Sequence, residues 1–391
     1  MTDLSTPATT DPALRADPAE SAEAALRADA AGPTMYPQES GFAALGEIRD
    51  LALQQLSPDV VDYLEGGAGA EATLRANRTA FDRWAIRPRP MSGVSAPATA
   101  TSFLGIPLAA PLLTAPFGGD GLFHDGGHLA VARANAACGT ASIVPEAGSY
   151  SYERVAEEAP RAARIAQLHP FDHFGERAAR AKRAGYSALC VTVDCPTAGF
   201  RVRNRVNRFN PDLGYFAGNN EGADAPQVAE MFERLLGLSA PAWDWARLAE
   251  AAGRCGLPWI AKGVLTAEAA ERAIEAGACA LVVSNHGARQ LDPAPASLDA
   301  LPEVAEAAAG RVEIAFDSGV RTGADVFTAL ALGADVVLLG RLAVYGLAAG
   351  GEVGVRRTVE LVVEELRTVM MLAGVASVGE LGPRDVLRRP R

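Results

Sequence analysis

Residues 281–292 of the chain, Leu-Val-Val-Ser-Asn-His-Gly-Ala-Arg-Gln-Leu-Asp, combine residue types that could carry out proton transfer. An apolar run ends at Ser284, and His286 and Arg289 follow within five positions. A titratable imidazole beside a permanent cation is suited to removing a proton from an anionic substrate. Gly287 allows the backbone to turn tightly, so that both side chains can face the same place. Taken alone, the segment could also be a loop whose histidine caps a backbone group.

Eight short apolar segments recur along the chain and are predicted to be buried strands: 111–117, 141–146, 163–169, 187–194, 258–264, 280–286, 312–319 and 335–341. Alanine-rich amphipathic segments separate most of them and predict helices, among them 127–138, 174–185, 242–255, 266–277, 298–309 and 322–333. This alternation predicts an α/β fold with a parallel sheet covered by helices. Because eight strands close a barrel, we expect a single (β/α)8 TIM barrel. The alternative, a doubly wound open sheet, would need a Gly-x-Gly-x-x-Gly turn after the first strand, and residues 117–121 lack that spacing.

The chain divides into a tail and one large domain. Residues 1–38 are rich in Ala, Asp, Glu, Pro and Thr, and a segment of this composition is predicted to be disordered. Residues 39–380 are expected to form the barrel domain, which begins with a helical extension over residues 41–81. Ser57 followed by Pro58 indicates the start of one helix in this extension. Residues 202–240 are expected to form a long loop over the active site.

Composition excludes several classes of protein. The 391 residues carry a net charge of -11, which argues against binding to nucleic acid or to an anionic membrane. No apolar stretch has the roughly 18–20 residues needed to span a bilayer, and the N-terminus does not have the pattern of a signal peptide. The five cysteines lack Cys-x-x-Cys spacing, as expected for free thiols in a reducing compartment. We therefore expect a cytoplasmic protein.

Polar residues gather where the predicted strands end. In a TIM barrel the carboxyl ends of the strands form the catalytic face, so these side chains should meet at one rim. They are Gln167, His169, Thr192, Asp194, Arg201, Lys262, Ser284, His286, Arg289, Asp317, Arg321, Gly340 and Arg341.

Three groups within this rim suggest different chemistry. The segments 317–321 and 340–341 supply glycine amides and two guanidiniums, which match the phosphate site that barrels commonly place after their last two strands. Lys262 could be a Schiff-base nucleophile, or a cation that stabilises a delocalised anion such as a reduced flavin. Arg201, Arg289 and His286 could converge on a substrate carboxylate, with Asp194 orienting the imidazole.

Two histidine pairs have the spacing of metal ligands on a helix, His124 with His128 and His169 with His173. The first pair spans Asp-Gly-Gly and the second spans a strand end, and neither segment favours a helix. No metal site is predicted.

The segment Ser284-Asn-His-Gly-Ala-Arg-Gln290 resembles the signature of the FMN-dependent α-hydroxy acid oxidases and dehydrogenases, the family of glycolate oxidase, lactate oxidase and mandelate dehydrogenase. The resemblance extends over about residues 40–375 and includes segments 62–63, 77–81, 192–194, 262–263 and 329–341. It implies that His286 accepts the substrate proton while a hydride, or its equivalent as a carbanion, passes to flavin N5. It also implies that Asp194 stabilises the imidazolium, and that Arg289, Arg201 and Tyr63 hold the substrate carboxylate.

The same resemblance implies FMN as the cofactor and assigns residues to it. Lys262 would lie near flavin N1 and C2=O, and the remaining contacts would come from Gln167, Thr192, Ser284, Pro116, Gly118, Asp317, Gly319, Arg321, Gly340 and Arg341. The expected partners are a 2-hydroxy acid, with oxygen or another electron acceptor, and further copies of the chain in a homo-oligomer, as a tetramer.

The chain departs from the family pattern around the substrate. His169 stands where the family usually has an active-site tyrosine, and is included here among the catalytic candidates. A Ser-rich stretch on the second strand is replaced by residues 143–146, in which Pro145 lacks an amide donor. Phe117-Gly118-Gly119 replaces a Thr-Ala pair after the first strand, and the phosphate loop reads Asp-Ser-Gly rather than Asp-Gly-Gly.

These changes predict an aryl or biosynthetic 2-hydroxy acid as substrate rather than glycolate or lactate, and the resemblance implies the (S) configuration. Three alternatives remain: a flavin-dependent tailoring oxidase acting on an alcohol or amine of a natural-product intermediate, a flavin-binding sensor or scaffold without turnover, and a flavin-free aldolase that uses Lys262.

Overall fold

The computed structural model describes residues 41–220 and 243–389. The predicted tail, residues 1–38, lies outside these ranges, as do residues 221–240 of the predicted loop. The helices of the described parts are α1 Leu45–Gln55, α2 Pro58–Glu65, α3 Ala72–Asp82, α4 Gly127–Cys138, α5 Tyr152–Glu158, α6 Phe174–Arg183, α7 Val202–Val206, α8 Trp245–Gly253, α9 Ala267–Glu275, α10 Ser297–Ala308, α11 Gly323–Ala331 and α12 Arg341–Ala373.

The strands are β1 Trp84–Ile86, β2 Thr101–Phe103, β3 Ile106–Leu108, β4 Leu112–Thr114, β5 Ala141–Val144, β6 Ala163–Leu168, β7 Ala188–Thr192, β8 Trp259–Val264, β9 Ala280–Val283, β10 Glu313–Phe316, β11 Val336–Leu339 and β12 Val386–Arg388. Strands β4 to β11 form a closed barrel of parallel neighbours, with β11 paired to β4. The predicted (β/α)8 barrel is confirmed, and the open doubly wound sheet is wrong. Each of the eight strands falls within a predicted apolar segment, and the polar site residues lie in the last residues of a strand or after it.

The barrel strands read as continuous apolar runs because both of their faces are buried. Inward-facing side chains fill the interior, with Ile143, Ile165 and Ile260 each fully buried. Outward-facing side chains pack against the surrounding helices. The hairpin β2–β3 adds Phe103 to the interior cluster, and its Leu104 amide donates to Glu313 Oε2 at 2.7 Å. The barrel is therefore a packed core, and its open space lies at the rim where the strands end.

The helices end where the glycines in the sequence predict. Gly139, Gly185, Gly256, Gly277 and Gly333 all follow helices and adopt positive φ angles, between 62° and 111°. Left-handed backbone is readily available to glycine, and it lets the chain turn back into the next strand. This repeated turn sets the residue at which each strand begins, and therefore which residues lie at the rim where the strand ends.

None of the helices in the described ranges is long and apolar enough to cross a membrane. The cytoplasmic location stays a prediction.

Candidate active site

His286 lies in a left-handed turn that directly follows β9. His286, Gly287 and Ala288 have φ angles of 59°, 63° and 64°. A non-glycine residue in this region costs on the order of 1 kcal/mol, so the surroundings must hold the turn. The sequence motif indicated the tight turn through Gly287, but His286 and Ala288 adopt the same left-handed backbone.

Hydrogen bonds from neighbouring strand ends satisfy this turn. The His286 amide donates to Ser284 Oγ at 3.0 Å, and the Gly287 amide donates to Ser318 Oγ at 3.0 Å. The Ala288 amide donates to Asn285 Oδ1, also at 3.0 Å. The Asn285 side chain is fixed in turn by two amide hydrogen bonds with Asn77 of α3, at 2.9 and 2.7 Å. The helical extension therefore stabilises the strained segment that presents the imidazole.

Asp194 pairs with His286, as predicted. His286 Nδ1 lies 3.2 Å from Asp194 Oδ1, and Asp194 Oδ2 is buried without a hydrogen-bond partner. Gly263 makes room for this carboxylate, since a Cβ there would lie 2.5 Å from the Asp194 side chain. Burial lowers the pKa of His286, and Lys262 and Arg201 lower it further, although Asp194 acts in the opposite direction. The imidazole is therefore neutral at pH 7 and available as a base.

Arg201 and Arg289 come together beside His286. Arg201 Nε donates to the Arg289 carbonyl at 3.4 Å, and the Arg289 guanidinium lies 4.7 Å from the centre of the Tyr63 ring. Arg289 Nη1 also donates to the carbonyls of Tyr63 and Gly66. Burial lowers the pKa of Arg289 well below its ordinary value, and Arg201 adds to this effect. Two close guanidiniums in a partly dry site favour binding of a carboxylate.

Lys262 lies among anions and hydroxyls at the end of β8. Its Nζ is 3.0 Å from Asp317 Oδ2 and donates to Ser284 Oγ at 3.0 Å. Burial alone would lower the pKa of Lys262, but Asp317 and Asp194 outweigh it and raise the pKa above its ordinary value. The amine is therefore an ammonium at neutral pH, which does not suit a Schiff-base nucleophile.

The other end of the site has the character of an anion-binding cradle. Gly340 immediately precedes α12, and Arg341 is the first residue of that helix. A Cβ at Gly319 would lie 2.4 Å from the Asn77 carbonyl, so only glycine fits this close approach. Arg321 Nη2 lies 3.5 Å from Tyr345 Oη, and Arg341 Nε donates to the Leu64 carbonyl at 2.8 Å. Burial lowers the pKa of Arg341 to about 10, and the nearby Arg321 contributes to that shift.

One cavity, open to solvent, connects these groups. The predicted site residues that line it are Tyr63, Pro116, Gly118, Arg201, Lys262, His286, Arg289, Asp317, Gly319, Arg321, Gly340 and Arg341. The remaining predicted residues are not among those that line it: Gln167, His169, Thr192, Asp194 and Ser284. Within the described residues, none of the four lining arginines forms an ion pair with a carboxylate. The cavity is therefore rich in unneutralised positive charge.

Gln167 and Thr192 form a buried network next to the cavity. Gln167 Nε2 donates to Thr192 Oγ1 at 3.0 Å, and Gln167 Oε1 accepts from the Glu146 amide at 3.0 Å. Sequence reasoning expected Pro145 to remove an amide donor at this point. In the structure the next backbone amide, that of Glu146, donates its hydrogen bond to Gln167.

His169 belongs to a charged cluster that the sequence did not reveal. Its amide and its Nδ1 lie 2.8 and 3.1 Å from Glu146 Oε2. Arg177 Nε is 2.7 Å from Glu146 Oε1, a close ion pair without hydrogen-bond alignment. Burial opposes the charged imidazole, but hydrogen bonds with Cys195 and Glu146 raise the pKa of His169 to about 10. Glu146 was visible in the sequence only as a charged residue at a strand end, and Arg177, on α6, gave no signal.

Aromatic side chains form one wall near the Tyr63 end. Tyr63 stacks on Phe209 with 4.8 Å between ring centres, and on Phe123 with 6.2 Å. Phe216 contacts Tyr63 edge to face. Phe209 and Phe216 come from the described half of the predicted loop over the active site, which therefore packs beside the cavity. Its length suggested this position, but the individual aromatic contacts could not be read from the sequence.

The two histidine pairs weighed as metal ligands serve other contacts. His124 Nδ1 accepts from the Gly126 amide, and His128 lies 3.1 Å from Asp120 in a buried pair. Across residues 41–220 and 243–389, no three His, Cys, Asp or Glu side chains are arranged to hold a metal ion.

Comparison with known proteins finds relatives over nearly the whole barrel. The model of the family described as FMN-dependent dehydrogenase matches residues 52–388. The chain is 40% identical to an L-lactate oxidase of Nostoc sp. (strain PCC 7120 / SAG 25.82 / UTEX 2576) over 349 residues, covering 86% of this chain and 96% of the relative. It is 39% identical to a peroxisomal (S)-2-hydroxy-acid oxidase of Oryza sativa subsp. japonica, covering 87% and 94%. A solved structure of mandelate oxidase with (S)-2-phenylpropionate matches with a TM-score of 0.79 and 36% identity, covering 89% of this chain and 98% of that one.

Proposed function

The chain belongs to the family of FMN-dependent dehydrogenases, and we propose that its substrate is an (S)-2-hydroxy acid with an aryl or similarly large side chain. Oxidation of a 2-hydroxy acid with FMN is the activity that its relatives share. The observation that carries the proposal is the joint placement of His286 and two guanidiniums on one cavity. A neutral base paired with Asp194 faces the place where Arg201 and Arg289 can hold a carboxylate.

The residues around the cavity fit FMN. Gly319, Arg321 and the N-terminus of α12 would hold the phosphate, since helix N-termini and guanidiniums both favour anions. Lys262 would lie against the ring and supply positive charge to it. When bound, FMN supplies the electron acceptor for the oxidation.

The chain's own groups would orient the substrate and move its proton. Arg289 and Arg201 bind the carboxylate and fix the 2-carbon in front of His286. His286 takes up the proton at Nε2, because Nδ1 is engaged by Asp194. Asp194, buried at the back of the imidazole, stabilises the imidazolium that results. His169 does not line the cavity and is given no part in these steps.

The aromatic wall supports a large substrate side chain. Tyr63 and Phe123 line the cavity, and Phe209 and Phe216 pack against Tyr63 from outside. Aromatic faces of this kind bind another ring well, with about 0.5–1.5 kcal/mol per pair beyond the buried area. The similarity to mandelate oxidase is consistent with this preference. The similarity to L-lactate oxidase supports the competing proposal of a smaller substrate.

Anaerobic stopped-flow measurement of flavin bleaching tests the proposal. The FMN-loaded protein is mixed with (S)-mandelate, (S)-3-phenyllactate, L-lactate and glycolate, with (R)-mandelate as the matched stereochemical control. We expect the highest ratio of reduction rate to apparent Kd with an aryl (S)-acid. A higher ratio with lactate or glycolate would overturn the aryl preference, and no bleaching by any of these acids would overturn the activity itself. Readmission of oxygen then identifies whether oxygen serves as acceptor. Light scattering of the same preparation gives the molar mass and so tests the predicted tetramer.

A further inference from the structure

Glu65, the last residue of α2, is a carboxylate next to the anion-binding cradle. Arg341 fixes the backbone on both sides of it, since Arg341 Nε donates to the Leu64 carbonyl at 2.8 Å and Nη2 donates to the Gly66 carbonyl at 3.0 Å. The fully buried Tyr345 lies one turn after Arg341 on α12, and its Oη donates to Glu65 Oε1. The first turn of α12 thus holds both the backbone and the side chain of this carboxylate.

Tyr345 connects Glu65 to Arg321 of the cradle. Tyr345 Oη accepts a hydrogen bond from Arg321 Nη2 at 3.5 Å, and the Arg321 guanidinium lies 5.6 Å from the centre of the Tyr345 ring. Burial alone would raise the pKa of Glu65, but hydrogen bonds from Tyr345 and Arg49 and the charge of Arg321 lower it below its ordinary value. Glu65 is therefore an anion at neutral pH, close to a cation that lines the cavity.

Arg49 of α1 occupies the second oxygen of Glu65. Arg49 Nη2 donates to Glu65 Oε2 at 2.8 Å, and the two side chains are 40% and 19% exposed. Both carboxylate oxygens are thus engaged by residues that do not line the cavity. A carboxylate that lost one of these partners could pair with Arg321, and it would repel a phosphate bound there.

We propose that Arg49 and Tyr345 are positioning residues for the cofactor phosphate, because they hold Glu65 away from Arg321 and leave that guanidinium free to bind the phosphate of FMN. This role rests on the proposed function, in which Arg321 holds the phosphate. Arg49 lies outside the cavity and acts on the cofactor only through Glu65.

Flavin release from the holoenzyme tests the role of Arg49. Protein loaded with FMN is diluted, and the rise in flavin fluorescence gives the release rate. The same protein loaded with riboflavin, which lacks the phosphate, is the ligand control. We expect Arg49→Gln to release FMN about fivefold faster and riboflavin at an unchanged rate, because the charge of Glu65 acts on the phosphate. An unchanged FMN rate, or equal acceleration of both flavins, would overturn this role.

Glu65→Gln separates the charge of Glu65 from the loss of Arg49. The amide oxygen can still accept from Tyr345, but it carries no charge that competes for Arg321. We expect Arg49→Gln to change FMN release by less than about twofold when Glu65 is already replaced, so that the two substitutions are not additive. A fivefold effect in that background would contradict the competition. This comparison uses FMN alone and decides even if riboflavin is not retained.

Tyr345→Phe tests the other contact of the carboxylate. The variant keeps the buried ring and loses the hydroxyl that joins Glu65 to Arg321. We expect it to release FMN about fivefold faster, again with riboflavin unchanged. If FMN release stays the same in the folded variant, Tyr345 does not have this role. Should the variant not fold, the Arg49 variants, which alter a partly exposed pair, still decide.

Two further variants show which proposal is wrong if the result differs. Arg321→Gln should release FMN about 30-fold faster, because a hydrogen bond to a charged group is lost. No effect of Arg321→Gln would reject both the phosphate placement and the role of Arg49, whereas an effect of Arg321→Gln without one of Arg49→Gln rejects only the latter. The matched control is Arg311→Gln, which breaks an exposed ion pair with Glu271 and should leave both release rates unchanged. These measurements need no substrate, so they are independent of the proposed aryl preference.

Discussion

Two of the histidine–carboxylate pairs in the described residues, both at strand ends of the barrel, hold imidazoles whose pKa values are shifted in opposite directions. His286 pairs with Asp194 at 3.2 Å, and His169 pairs with Glu146 at 3.1 Å. Burial lowers the pKa of His286, whereas the partners of His169 raise its pKa to about 10. The nearby charges differ, because the cations Lys262 and Arg201 add to the effect of burial and lower the pKa of His286 further. Two similar pairs thus give a neutral base that lines the cavity and a cation that does not.

The largest expected effect comes from removing the base. His286→Gln should slow anaerobic flavin bleaching by about 10³-fold, because general bases contribute roughly 10²–10⁴-fold. Stopped-flow absorbance with the best substrate measures it. The flavin content of the purified variant is the control, since the phosphate cradle is untouched. Bleaching within about tenfold of the unaltered rate would show that His286 is not the base.

The His169–Glu146 pair should contribute to the free energy of unfolding. Glu146→Gln leaves His169 and Arg177 without their carboxylate, and breaking a buried pair typically costs about 3 kcal/mol or more. Urea unfolding followed by circular dichroism gives the free energy of unfolding. The matched control is Glu176→Gln, because Glu176 and His173 form the same kind of contact at 3.3 Å on the exposed surface. We expect that control to change the free energy by at most about 0.5 kcal/mol.

The cost of Glu146→Gln should also depend on pH. His169 has a pKa near 10 in the folded protein and about 6.5 when unfolded, so its contribution is complete below pH 6.5 and is lost as the pH rises towards 10. The gap between the unaltered protein and the variant should therefore narrow over that range. A gap that stays constant would mean that His169 is not a cation in the fold.

Replacing the partner of the base should have a smaller kinetic effect than removing the base. Asp194→Asn keeps the shape of the side chain but loses its charge, and we expect bleaching to slow by about 10²-fold. Asp194 raises the pKa of His286, so the acid limb of the pH profile should move to lower pH in the variant. Single-turnover rates between pH 5 and 8 measure both effects. An acid limb that moves to higher pH would contradict this role of the carboxylate.

The smallest expected effect is the change of kcat/KM with pH in the unaltered enzyme. His286 must be neutral to accept a proton, and its pKa is below the ordinary value of about 6.5. The ratio kcat/KM should be level near pH 7 and fall about tenfold per pH unit only once the pH is below that value. If kcat/KM begins to fall well above pH 6.5, the pKa of His286 is raised, as that of His169 is, and the contrast between the two pairs is wrong.

The sequence predicted most of the fold and much of the site. Apolar runs of fixed length and the glycines after the helices specify strands and turns locally, so all eight barrel strands could be located. The motif at residues 284–290 and the barrel rule that strand ends meet at one face identified His286, Asp194 and the arginines. The His169–Glu146–Arg177 cluster could not be foreseen, because its members come from three separate segments and none has a distinctive local pattern.

The sequence by itself determined the eight-stranded barrel, the residues at its rim and the family, because these depend on patterns repeated along the chain. The tertiary structure decided which side chains line the cavity and which do not, placing His286 in the first group and His169 in the second. It also decided their protonation, because the pKa of a buried imidazole depends on charges brought close from distant positions. Lys262 and Arg201 surround one histidine, and Glu146 and Cys195 the other.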